Sequence, residues 1–355
     1  MFQEASYTTS QRKQWIDIAK GLGIIAVFYG HSIPFRPPVG TTLVNWIFAF
    51  HMPLFFVISG MCFNTMKWTR EKTVAEFLRS RFWSLLVPFV LVNALFMALS
   101  HIFGWDYYKL SDLTGGKFVP TMWFVAALLM TEVLYWTVQR VGSLRSLRSL
   151  RSSTFNKFRN QEVLWLNIAL IIVMLPIALV ISREEVYLMQ PWSVHSVPLS
   201  IVFFAVGNMM RMGLESFYKK ISTSWLSYLL AAVLLILPMG YVILIPEALG
   251  MGKSLIPRPE GPTLLMALSG TMGVLMMSVL MEKVRGLLWL KRMLVYLGRN
   301  TLIILPFHMF YIWFDNTFIK PIVGVALAPI YAWALLVPTI YIVNRWLPWL
   351  AGKRR

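Results

Sequence analysis

Apolar runs separated by charged or Pro/Gly-rich punctuation dominate this chain and predict about ten membrane-crossing helices. They lie near residues 15–34, 42–63, 82–103, 119–139, 162–182, 195–213, 223–246, 262–281, 293–314 and 321–348. The pattern predicts an all-α integral membrane bundle and shows no separate soluble domain. The segment S-L-R-S-L-R-S-L-R-S over 143–152 repeats every three residues. A period of three drifts around a helix of 3.6 and gives no constant face. We therefore read 140–161 as a flexible basic loop on anionic lipid, and 1–14 as a short tail.

Composition agrees with the pattern. Of 355 residues, 57% are hydrophobic and 14% charged, and mean hydropathy is +0.64. Soluble domains carry roughly 25% charge. The first apolar run is long, and its His-Ser-Ile-Pro end offers no small-residue cleavage site, which argues against a cleaved signal. Cys62 is the one cysteine, so no internal disulfide is available.

The net charge of +18 raises the question of nucleic acid, but its distribution answers it. If the N-terminus is cytoplasmic, 25 of the 33 cations fall in inner segments and seven in outer loops, with Lys20 inside a span. This is the positive-inside bias, and it predicts both termini in the cytoplasm.

Candidate chemistry starts in the first run, W-I-D-I-A-K-G-L-G-I-I-A-V-F-Y-G-H-S over 15–32. Ionisable groups inside a span are costly and mark function. Lys20 and His31 are eleven residues apart, on one stripe of a helix and about 16 Å apart along it. The plainer reading is a local Asp17–Lys20 pair at i,i+3 with His31 turned outward. The second run, F-A-F-H-M-P-L-F-F-V-I-S-G over 48–60, carries His51 at a comparable depth, two residues before Pro53. Two imidazoles at one level suit proton transfer. Equally, His51 could bond a carbonyl freed by a proline kink. His308 follows Pro306 in Y-L-G-R-N-T-L-I-I-L-P-F-H-M and invites the same plain reading. A metal centre is not expected, because these histidines lie on different helices without a local ligand pair.

Arg79 and Arg81 stand where the chain re-enters the bilayer, with Arg292 and Arg299 as further inner cations. Such residues are by default topology signals and lipid anchors. Alternatively, guanidinium forks there clamp phosphates. No P-loop or dinucleotide fingerprint is present. Trp123 reads as an aromatic-belt residue. Glu132, one helical length inward, needs a cationic or protonated partner. Cys62 reads as packing rather than an acyl relay.

Several segments together resemble the acyltransferase-3 family of membrane acyltransferases, most closely its fucose 4-O-acetylase-like branch. They are W-I-D-I-A-K-G-L-G…G-H-S (15–32), F-H-M-P-L-F-F-V-I-S-G (50–60) and R-x-R-x-x-x-L-L-V-P (79–88). W-F-V-A-A-L (123–128) and L-G-R-N-T-L-I-I-L-P-F-H (297–308) add support. The family's hallmark is an Arg, ten residues, then His; this chain has Lys20 and His31 at that spacing. The resemblance implies a multi-pass protein of the bacterial cytoplasmic membrane. It would move an acetyl group from cytoplasmic acetyl-CoA to a hydroxyl of a lipid-linked or envelope glycan. It implies His31 as general base or acyl-accepting nucleophile, with Asp17 and His51 as helpers. Lys20, Arg79 and Arg81 would hold the donor's phosphates. Some relatives carry a further hydrolase-like domain. Here the last span is followed by Lys353-Arg354-Arg355, so the membrane domain would finish the transfer itself. The runner-up from the residues is a proton-coupled transporter or flippase of a lipid-linked sugar, whose relay would use the same groups.

Overall fold

Hydrocarbon leaves no water to satisfy backbone N–H and C=O groups, so a chain this apolar must close its hydrogen bonds within helices. The structure, a computed structural model, describes residues 13–32, 39–103, 120–149, 155–183, 191–244, 260–324 and 327–353. Among these residues there are helices and turns and no strand. The principal helices are α1 (Gln14–Ser32), α2 (Val39–Cys62), α3 (Val74–Arg81), α4 (Val87–Ile102), α5 (Trp123–Ser149) and α6 (Phe155–Arg183). They continue as α7 (Val197–Met212), α8 (Leu214–Lys220), α9 (Trp225–Leu244), α10 (Glu260–Lys283), α11 (Leu288–Arg299), α12 (Thr301–Phe314) and α13 (Ala328–Trp346).

Seven helical stretches among the described residues are long and apolar enough to cross a membrane, against the ten expected. They are Thr42–Cys62, Val74–Ile102, Asn160–Ile181, Trp192–Met212, Trp225–Leu244, Pro262–Lys283 and Thr301–Val323. Over the first, fourth and tenth expected spans lie α1, α5 and α13. Each is at least 19 residues long, and each is diluted by polar or aromatic residues. For α1 the reason is its position. It packs against α2, α10, α11, α12 and α13, so its buried Asp17 and half-buried Lys20 meet protein rather than lipid.

Two boundaries differ from the apolar pattern. The ninth expected span, 293–314, is two helices. α11 ends at Arg299 and α12 begins at Thr301, with Asn300 at φ −119° between them. α11 exposes Trp289, Arg292, Met293 and Tyr296 and buries Leu294, Val295 and Leu297, a surface helix rather than a span. The tenth starts only at Ala328, after a turn in which Gly324 takes φ 82°. The basic loop expected at 140–161 is largely helical: α5 runs to Ser149 and α6 starts at Phe155. A period of three denies a helix a constant face, but Leu, Arg and Ser still propagate one. Most of the expected tail, 1–12, lies outside the described residues.

Small residues set the closest approaches, as in membrane bundles generally. A Cβ on Gly60 of α2 would run into the Phe204 carbonyl of α7, and one on Gly207 into the Val57 carbonyl. The same reciprocity joins α1 to α11 through Gly21 against Leu294 and Gly298 against Asp17. Beside the first seam, Tyr135, Asn167 and Asn208 link α5, α6 and α7 to Thr65 after α2. The distances are 2.8 Å for Tyr135–Asn167, 3.3 Å for Asn167–Asn208 and 3.1 Å for Thr65–Asn208.

Because the obstacle is backbone, Gly60→Ala must push α2 off α7. The expected cost is about 1–3 kcal/mol, seen as a lower melting midpoint in detergent. Gly240→Ala on α9, where nothing lies within 4 Å of the added carbon, leaves the midpoint unchanged or raises it. Equal midpoints for both variants would contradict this packing.

Candidate active site

Antiparallel packing of α1 on α2 carries the two halves of the site to opposite ends of one seam. Gly30 lies against Ile47 and Phe48, and Gly23 against Leu54 and Phe55. That sets His31 beside the first half of α2 and Lys20 beside Ser59. α12 lies along the same helix and adds His308.

At the first end, three imidazoles from three helices converge. The rings of His31 and His308 are 5.5 Å apart. Phe48 touches both His31 (5.5 Å) and His51 (5.1 Å), and Phe28 lies 6.0 Å from His308. His31 is exposed, whereas His51 and His308 are buried. The Nδ1 of His51 is 2.9 Å from the Ile47 carbonyl, and that of His308 is 3.0 Å from the Ile304 carbonyl. A carbonyl only accepts, so in the neutral ring each Nδ1 carries the proton and each Nε2 keeps its lone pair. These acceptors are four residues back and are not Ala49 and Leu302, the carbonyls that Pro53 and Pro306 leave without their helical donor. Among the described residues no group of three His, Cys, Asp or Glu is arranged to hold a metal ion.

At the other end a cavity of about 170 Å³ opens beside Lys20. Its walls come from α1 (Lys20, Ile24), α2 (Met52, Phe55, Ile58, Ser59), α5 (Phe124, Val125, Leu128) and α12 (Thr301, Leu302, Leu305), with Leu85 before α4. The lining is apolar except for the Lys20 ammonium and the hydroxyls of Ser59 and Thr301. No ion-pair or hydrogen-bond partner of Lys20 occurs among the described residues. The cavity reaches Met52, next to His51, and Leu305, one turn from His308.

A family model described as an acyltransferase domain, acyltransferase-3, matches residues 13–345 and so spans nearly the whole chain. The chain belongs to the acyltransferase-3 family. It is thus a membrane protein of acyltransferase type, and both the histidine cluster and the cavity fall inside the matched region. No curated protein and no solved structure matches the chain.

The remaining candidates of this acyltransferase serve its architecture more visibly than its cavity. Asp17, buried, pairs with Arg299 at 3.0 Å across the α1–α11 seam rather than with Lys20. Glu132, buried on α5, meets its cation in Arg81 at 2.6 Å. The Arg81 guanidinium also lies over Trp68 (4.9 Å), Phe77 (5.4 Å) and Phe63 (5.8 Å). Arg79 and Arg292 are exposed on α3 and α11. Trp123 packs inward against Phe56 at 6.5 Å rather than standing free in a belt. Cys62 is exposed at the end of α2. Sequence reasoning passed over Ser59 and Thr301. Met52, Phe55 and Ser59 fall at i, i+3 and i+7 of α2, a stripe whose last member is polar, and that was the available signal.

Removing one partner of a buried ion pair strands the other charge. Arg81→Leu therefore costs about 3–5 kcal/mol. Adding Glu132→Leu to it recovers most of that loss in a thermal melt. A double variant no more stable than the single one would show that the pair is not what holds these residues.

Proposed function

We propose that this acyltransferase takes an acetyl group from cytoplasmic acetyl-CoA and esterifies a hydroxyl of a cell-envelope or lipid-linked glycan, as in the fucose 4-O-acetylase-like branch. It would do so from a bundle of ten spans in the bacterial cytoplasmic membrane, with both termini inside. The three helices too polar to count as spans on composition alone would cross as the inner members of that bundle. Lys20 then faces the cytoplasm and His31 the outside.

One observation carries the reading. A largely apolar cavity with a single ammonium at one end runs to within one turn of two buried histidines at the other. That shape suits a slender, uncharged arm carrying a thioester. Ser59 and Thr301 offer hydroxyls to its amide groups, and Lys20 offers a charge-assisted hydrogen bond to a carbonyl or phosphate oxygen. The exposed Arg79 and Arg292 would meet the donor's phosphates at the rim. Arg81, held by Glu132, would shape that rim rather than grip a phosphate.

At the outer end His31 acts as general base. It takes the proton of the sugar hydroxyl as the oxygen attacks the thioester carbon. The C–O bond forms, the C–S bond breaks, and the proton passes from His31 to the departing thiolate. The products are an O-acetyl ester and a free thiol, with no net proton change.

The test uses membranes, labelled acetyl-CoA and an acceptor glycan. His31→Ala should lower transfer by about 10²–10⁴-fold at equal expression. Lys20→Arg should keep activity. Lys20→Ala should raise the apparent KM for acetyl-CoA about tenfold or more, the worth of a hydrogen bond to a charged group. Normal transfer by His31→Ala would sink the mechanism, and an unchanged KM in Lys20→Ala would remove Lys20 from the donor site.

A further inference from the structure

Among the described residues, one nitrogen of the cluster has no hydrogen-bond partner. His308 is 0% exposed, and its Nδ1 is engaged by the Ile304 carbonyl at 3.0 Å. Its Nε2 is buried without a hydrogen-bond partner among the described residues. A buried, unpaired acceptor is costly, so it marks a group held ready for a partner. The polar ring it packs beside is His31, 5.5 Å away between ring centres. Two imidazoles exchanging an N–H···N bond end to end have their ring centres about that far apart. His31, exposed at the end of α1, is the one free to turn.

We infer that His308 is the positioning residue that makes His31 a base. With its proton fixed on Nδ1 by Ile304, His308 offers only a lone pair at Nε2. The His31 nitrogen turned toward it must therefore carry the hydrogen, which leaves the lone pair of His31 on its other nitrogen, toward the acceptor hydroxyl. A backbone carbonyl, two rings and a substrate hydroxyl thus form one directed chain. When His31 takes the hydroxyl proton it becomes imidazolium, and its bond to His308 becomes charge-assisted and stronger. The proton then leaves His31 for the thiolate, and His308 neither gains nor loses one. His308 here holds the place that a carboxylate holds behind a catalytic histidine, with the difference that it is neutral. His51 has the same tautomer, but Phe48 contacts both it and His31, whereas the His308 ring, tilted by 39°, lies next to that of His31 directly. This inference rests on the reading of His31 as the base.

Two variants of the full-length enzyme separate positioning from packing, assayed with labelled acetyl-CoA and the acceptor glycan. His308→Phe keeps a ring against Phe28 and removes the acceptor. His308→Gln keeps an oxygen near the position of Nε2. Expected is a kcat for His308→Phe lower by about 10–100-fold, with the KM for acetyl-CoA and the melting midpoint unchanged, and a kcat for His308→Gln at least several-fold above it. Should the Phe variant fail to fold, His308→Asn replaces it, since its shorter amide cannot reach the Nε2 position. A Phe variant as fast as wild type overturns the inference, as does a Gln variant as slow as the Phe or Asn variant at equal stability. Either result leaves the acetyl-transfer reading standing if wild type transfers acetyl. Wild type that transfers none overturns the functional reading and this inference with it.

Discussion

A charge at membrane depth has to be partnered, and the arrangement of this bundle follows from how its buried charges are. Asp17 is held by Arg299 and Glu132 by Arg81. Both pairs join residues far apart in sequence, so they fix helices as well as charges. The first ties α1 to α11 where Gly298 lets the backbones approach to the Asp17 carbonyl. The second ties α3 to α5, and a ring of Phe63, Trp68 and Phe77 encloses the guanidinium. Neither carboxylate could remain at that depth alone.

Two polar groups that these pairs do not involve lie along one seam: the Lys20 ammonium in the cavity and the acceptor nitrogen of His308 in the histidine cluster. α1 runs between them and packs on five other helices. It therefore couples the geometry of one end to that of the other: a shift of α1 along α11 would move Lys20 and His31 together. The glycine contacts that allow α1 and α11 to touch backbone to backbone oppose such a shift.

Much of this was readable in one dimension, and the failures have specific causes. The stripe joining Lys20 to His31 is a property of a single helix, so spacing alone defined it. The convergence of His308 on His31 is tertiary: position 308 is far from 31 in sequence, and Pro306 beside it suggested a purely local use. Asp17 misled for the same reason. Lys20 at i+3 is the obvious partner by helical geometry, yet Arg299 arrives from another helix and takes the carboxylate. The broken ninth span was signalled by G-R-N-T over 298–301, a polar interruption that an averaging window smooths over. In 140–161 the error was one of kind, since periodicity reports which face a helix buries and not whether a helix forms.

Lysine at position 20 is consistent with this partnering. An arginine at position 20 would stand three residues from Asp17 on the same helix, in reach of a bidentate pair. In this chain Arg299 already supplies a guanidinium to Asp17. Position 20 is relieved of any structural pairing and needs only to present positive charge to a narrow, mostly apolar cavity. A lysine does that with a slimmer head on a flexible apolar stem, in a cavity that Ile24 and Leu302 also line. What lysine gives up is the planar fork, and a fork matters where two oxygens of one group are gripped together. A donor whose phosphates sit at the rim, with only a thioester and amide groups inside, presents single carbonyl oxygens to position 20. On the proposed acetyl-CoA reading, lysine at position 20 suits an uncharged segment of the donor beside it and leaves the phosphates to the exposed arginines of α3 and α11.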